Sequence, residues 1–145
     1  MIADFLRRLT APAQDPLSDV DARRAIGALL VRIARSDNHY APDEKARIDR
    51  ILGARFGLIE AEAKALREEC ETIEAEAPDT VRFTRVIKEA IPLDDREAVV
   101  RAMWEVVLTD GSRDQHEDAL MRMVAPLLGF TDQDSNRIRI AITKN

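Results

Sequence analysis

Four carboxylates stand out by type and spacing. Asp37 and Glu44 lie seven positions apart in ARSDNHYAPDEKARI, Ala34 to Ile48. Asp110 and Glu117 repeat that separation in VLTDGSRDQHEDALM, Val107 to Met121, and each follows its counterpart by 73 residues. If the members of a pair converge across their turn, they offer hard oxygen ligands suited to Mg²⁺ or Ca²⁺. Neither stretch has the alternating oxygen ligands and sixth-place glycine of an EF-hand. A structural reading competes. Glu44 would occupy the third position of a helix opening on Pro42, and Asp114 with Glu117 has capping-box spacing. A carboxylate in a first helical turn gains about 0.3–1 kcal/mol from the helix dipole. Asp37 and Asp110 instead follow helix C-termini, where the dipole disfavours an anion. Each needs compensation from an Asx-turn, a nearby arginine or a cation.

The other reactive side chains offer less. His39 and His116 lie beside the two turns, but 77 residues apart and so not in equivalent places. With no second His or Cys near either, they read as surface residues rather than zinc ligands. Cys70 is the single cysteine, which rules out an intrachain disulfide and fits a reducing, cytoplasmic setting. It shares a face with Leu66 and Ile73 and reads as a buried thiol rather than a nucleophile. The chain holds no nucleophile motif, phosphate-binding glycine loop, H-E-x-x-H or C-x-x-C. It therefore reads as a binding or scaffold module with protein partners and no catalysis. The alternatives are a partner-recognition domain with no ion, and a metal-assisted hydrolase built on the carboxylates and His116.

These residues need a scaffold, and the composition points to helices. The 145 residues suffice for one domain with a sizeable core. Only 5 Gly and 6 Pro occur, aromatics are 4%, and Ala, Leu, Ile, Arg and Glu dominate, which favours helix over strand. A net charge of −5 argues against a nucleic-acid surface. No apolar run approaches the roughly 18 residues of a membrane span. Met1–Pro16 is too short in apolar content for a secretory signal. Ile2, Phe5, Leu6 and Leu9 give it a short amphipathic helix, and Pro12 and Pro16 a linker. Docking onto the core suits this helix better than peripheral membrane association, since its basic content is Arg7 and Arg8 alone. The expected division is 1–16 for helix and linker and 17–145 for the helical domain.

Seven further helices follow from periodicity and caps. Ser18 with Asp21 opens one carrying Ala22, Ala25, Ile26, Leu29, Leu30 and Ile33 toward a core. Pro42 opens the next, with Ala46, Ile48, Ile51 and Leu52, ending near Gly57. Glu60–Glu76 reads as a solvated outer helix whose acidic run Lys64 and Arg67 interrupt. Pro78 and Asp79 begin a helix with Val81, Val86, Ile87 and Ala90. Asp94 with Glu97 caps another, reaching Thr109 with Val99, Val100, Met103, Trp104, Val106 and Val107. Gln115–Leu128 ends on Gly129. Thr131 with Asp134 caps the last, where Ile138, Ala141 and Ile142 face inward. The expected fold is all-α, a single domain of about seven to eight helices.

The 73-residue offset extends beyond the carboxylates. Ala25, Ile26, Leu30 and Ile33 meet Ala98, Val99, Met103 and Val106; Ala46, Ile48 and Ile51 meet Ala119, Met121 and Val124. One residue is then lost, so that Gly57–Leu58 meets Gly129–Phe130 and Leu66 meets Ile138. Two similar units, about 18–76 and 91–144, are expected to pack about a pseudo-two-fold axis.

With A-R-S-D-N-x5-E, V-L-T-D-G-x5-E and two glycine–apolar hinges, the chain resembles the TerB-like domains over about residues 18 to 142. That family takes in tellurite-resistance proteins and the N-terminal domain of a DnaJ-like co-chaperone. Its motif is roughly Ala-x-x-Asp-Gly, with Glu seven places after the Asp. Asn38 replaces the Gly and Val107 the Ala. The resemblance implies an all-α fold, a bacterial cytoplasmic or membrane-peripheral setting and a role in stress-linked complexes. It implies no catalysis, and it marks Asp37, Glu44, Asp110 and Glu117 as proposed cation ligands.

Overall fold

A computed structural model describes residues 19–36, 40–76, 80–108 and 115–143. Seven helices span them: α1 (Asp19–Ala34), α2 (Pro42–Phe56), α3 (Glu60–Glu76), α4 (Thr80–Ala90), α5 (Leu93–Val107), α6 (Gln115–Leu127) and α7 (Asp132–Thr143). The expected N-terminal helix and its linker, the Ser18 cap, Pro78–Asp79 and Asp114 lie outside the described residues.

The architecture centres on α1, which packs against α2, α3, α4, α5 and α6. Its predicted stripe is an underestimate. Ala28, Val31 and Ala34 are buried along with Ala25, Ile26, Leu29, Leu30 and Ile33. A helix apolar around its whole circumference can be satisfied only in the interior. Gly27 lets α3 come close, because a Cβ there would overlap Cys70 Sγ. The Cys70 thiol, itself buried, donates to Arg24 O at 3.6 Å. Arg32 alone of the last ten residues of α1 keeps a partly exposed side chain, and it turns toward α3 and α4.

Three other expectations need correction. On α4 the buried residues are Phe83, Val86 and Ile87 with Thr80 and Thr84, while Val81 is 52% exposed. The inward register thus runs 80, 83–84, 86–87, and Thr84 satisfies its hydroxyl by donating to Val81 O at 2.8 Å. On α7, Ile138 is buried and Ile142 packs against the core, but Ala141 faces out. Asp94 does not cap α5. Pro92, extended at φ −60° and ψ 158°, takes that place without a side-chain bond. Asp94 and Asp95 fall in the first turn, where the dipole favours them. The Thr131–Asp134 box forms as expected: Asp134 N–H donates to Thr131 Oγ1 at 3.1 Å and Thr131 N–H to Asp134 Oδ2 at 3.4 Å.

The repeat is visible in two matching helix ends. Past α2, Gly57 adopts φ +66° and Leu58 N–H reaches back to Gly53 O at 3.0 Å. Past α6, Gly129 adopts φ +96° and Phe130 N–H reaches Ala125 O at 2.9 Å. Both are left-handed closures that glycine makes without a steric penalty. They differ in surroundings. A Cβ on Gly57 would meet nothing within 4 Å, whereas one on Gly129 would lie 3.1 Å from Arg96 Nη1. That nitrogen donates to Leu128 O at 2.8 Å. Gly57→Ala is therefore expected to cost about 1–2 kcal/mol from the backbone alone. Gly129→Ala should cost more, because the Arg96 guanidinium that caps the helix must also give way by a few tenths of an ångström. Urea denaturation of the two variants checks the order.

Candidate functional site

The first inter-helix turn is bounded by the end of α1 and the start of α2. On the α1 side Ser36 closes the helix, its hydroxyl donating to Ile33 O at 2.8 Å. On the α2 side Ala41 is the extended N-cap residue and Pro42 fills the first position. Ala41 has no side chain to cap with, so α2 carries half a capping box. Glu44 Oε1 accepts the Ala41 N–H at a long 3.4 Å, and Asp43 Oδ1 accepts the Glu44 N–H at 3.1 Å. Glu44 is only 9% exposed. The structure thus places Glu44 where a helix-start carboxylate belongs.

Asp37, His39 and Asp110 lie outside the described residues. Glu117 falls in the first turn of α6, and its side chain and that of His116 lie outside them too. Among the described residues no three His, Cys, Asp or Glu side chains gather in metal-holding range.

Beside the first turn lies a charge network that the linear sequence does not announce. Its centre is Arg67 on α3, 7% exposed. Arg67 Nε donates to Asp49 Oδ1 on α2 at 2.6 Å, and Nη1 donates to Glu71 Oε2 at 2.7 Å. The same Glu71 oxygen accepts the Tyr40 hydroxyl at 2.6 Å. The Arg35 guanidinium and Lys45 Nζ lie over the Tyr40 ring, 5.1 and 5.0 Å from its centroid. A second set runs alongside. Glu74 on α3 accepts from Arg32 Nε at 3.2 Å and Arg35 Nη1 at 2.8 Å, and Arg32 Nη1 donates to Thr80 Oγ1 at 3.2 Å. Glu69 pairs with Arg24 at the other end of α1. The helix is solvated along its outer face, as expected, and grips α1 and α2 through charged side chains on its inner edge. Arg67, read as an interruption of an exposed acidic run, is its most deeply engaged charge.

Protonation follows the geometry. Burial alone would lower the Arg67 pKa, but the hydrogen bonds and charges of Asp49 and Glu71 outweigh it and hold the guanidinium above its ordinary value. Burial would raise Glu71, yet Tyr40, Arg67 and Lys45 together hold its carboxyl below the usual range. Burial, then the Glu71 carboxylate, push the Tyr40 phenol upward. Burial also pushes the Cys70 thiol up to about 12, which keeps it protonated and unreactive near neutrality. Arg67 thus stays charged against the Asp49 and Glu71 oxygens, while the Tyr40 phenol keeps its proton. That arrangement ties α3 to α2 and to Tyr40.

A groove of about 520 Å³ runs between α2 and α3 along Ala46, Gly53, Ala54 and Ala63, with Asp49, Arg50 and Glu60 at its side. Asp49 there pairs with Arg67.

Residues 23–140 match the family described as tellurite resistance protein TerB. The chain belongs to that family. The match spans both acidic turns and both glycine hinges. A crystal structure of a protein of unknown function from Porphyromonas gingivalis W83 shares the fold, with a TM-score of 0.61 at 19% identity, covering 93% of this chain and 96% of that one. No curated protein matches this TerB-family chain. Among its described residues no helix is long and apolar enough to cross a membrane.

Proposed function

We propose that this chain is a non-catalytic TerB-type scaffold module. It docks onto protein partners and holds a divalent cation, Mg²⁺ or Ca²⁺, at its two acidic turns through Asp37 with Glu44 and Asp110 with Glu117. One observation carries the reading: a TerB-family match that spans two acidic turns in a single repeat register. Hard carboxylate oxygens suit these ions. Calorimetric titration of Ca²⁺, Mg²⁺, Mn²⁺ and Zn²⁺ into chelator-treated protein tests it. Saturable heat is expected for a hard divalent ion, lost in the double variant Asp37→Asn with Asp110→Asn. Absence of both heat and thermal shift with all four ions would remove the cation from the proposal.

A second reading keeps the scaffold and drops the ion. It is favoured by Glu44, which is mostly buried and already accepts the Ala41 N–H. Glu44→Gln separates the two, because the amide oxygen can still accept from Ala41. If Glu44 only caps and no ion binds, neither the parent nor Glu44→Gln gives a titration heat, and stability changes little. If it also binds a cation, affinity falls at least tenfold while the melting temperature of the ion-free protein holds.

A further inference from the structure

A second groove, about 260 Å³, opens where α1 begins, between that helix, the end of α2 and the α4–α5 junction. Its trough is Ala22, Ile26, Phe56, Ile91 and Pro92. Ligand pockets typically run from about 300 to 1,000 Å³, so this one is sized for a side chain or two rather than a small molecule. Its rim is mainly basic. Arg23 and Arg55 both lie over the Phe56 ring, at 5.1 and 5.7 Å, with Asp95 the one carboxylate lining the groove. Among the described residues neither guanidinium forms an ion pair within 4.0 Å, and Arg55 Nε–H is buried with no acceptor. The groove suits an apolar anchor with an acid next to it.

The chain carries such a segment. Ile2, Phe5, Leu6 and Leu9 share one face at helical spacing, and Asp4 stands beside Phe5, ahead of Arg7 and Arg8. We propose that this groove receives the chain's own Ile2–Leu9 segment, with Phe5 in the apolar trough and Asp4 toward Arg23 and Arg55. Connectivity allows it. The nine residues Thr10–Ser18 can span up to roughly 30 Å when extended. The groove begins at Ala22, within about one helical turn of Asp19. Pro12 and Pro16 break any helix between and let the chain turn back.

Methyl NMR on the full chain tests this. Phe5→Asp is expected to displace the Ile26 and Ile91 methyl signals and leave Ile140, on the outer face of α7, in place. Asp4→Arg and Arg55→Asp should each displace the same two signals, and the double variant should restore them. Unchanged Ile26 and Ile91 signals in Phe5→Asp would overturn the proposal. So would a displacement that depends on protein concentration, which would mean that a second copy supplies the segment. Unchanged signals together with sedimentation of the parent protein on phosphatidylglycerol vesicles would overturn it in favour of a membrane-facing segment.

Discussion

Arg67→Met is expected to destabilise the fold by about 2–4 kcal/mol in urea denaturation. The side chain is 7% exposed and its charge is opposed by two carboxylates at 2.6 and 2.7 Å. Removing the cation leaves Asp49 and Glu71 facing each other's negative charge in a half-buried site. Breaking a fully buried pair costs about 3–5 kcal/mol. Asp49 and Glu71 are each 21% exposed, so water recovers part of that. The loss should also move the acid limb of stability. Glu71 has a folded pKa below its unfolded value of about 4.3. Its contribution is therefore complete above that unfolded value and drains away as pH falls through the folded one. Without Arg67 the folded pKa rises, the contribution shrinks to what Tyr40 and Lys45 supply, and acid unfolding should begin at higher pH. A melting-temperature profile from pH 7 to 3 reads both effects.

The equivalent residue in the second unit is an internal control. Arg139 follows Arg67 by 72 residues, the offset that relates Gly57 to Gly129. The places of Asp49 and Glu71 are taken there by Arg122 and Thr143. Arg139 lies over the Trp104 ring at 5.9 Å instead, with a buried Nε–H that finds no acceptor among the described residues. Arg139→Met should therefore cost less than 1 kcal/mol or even stabilise, since a methionine keeps the packing and removes an unsatisfied donor. A loss as large as that of Arg67→Met would show the network is not what makes Arg67 costly to remove.

The contrast between these two arginines also explains what the sequence could and could not disclose. Local signals were readable wherever the physics is local. Gly57 and Gly129 punctuate helices because they reach positive φ, and the Thr131–Asp134 box closes within four residues. Glu44 was legible as a helix-start carboxylate because Pro42 fixes the register. Arg67 was not legible, because its partner Asp49 stands on another helix and nothing in an acidic stretch marks one arginine as buried. The recurrence of arginine at 139 was the available clue. Val81 misled for a related reason: its apolarity suggested an inward face, but Phe83 sets the register of α4 and turns Val81 outward. The core side of α1 was under-read because alanines and a glycine count little in an apolar stripe, yet they decide how closely α3 approaches.

Trp104→Ala should be the most damaging single truncation, at about 3–5 kcal/mol. Trp104 is 3% exposed on α5, and its Nε1–H donates to Ser135 Oγ on α7 at 2.9 Å, a hydrogen bond buried in the core. The corresponding places in the first unit are Val31 and Ala63, both buried and apolar. The second unit has thus put a large ring and a polar contact where the first has a small dry one. Two terms can be separated. Trp104→Phe keeps most of the apolar area but leaves the Ser135 hydroxyl, 5% exposed, without the indole, at about 1–3 kcal/mol. Ser135→Ala in that background removes the stranded hydroxyl and should recover part of the loss, although the same change in the parent protein is destabilising because it strips the indole of its Ser135 acceptor. The cycle of four proteins isolates the coupling between the two groups. Far-UV circular dichroism is the appropriate readout, since Trp104 is the chain's one tryptophan and its replacement removes the fluorescence signal. If the two substitutions simply add, the bond contributes nothing beyond packing, and shape alone holds α7 against α5.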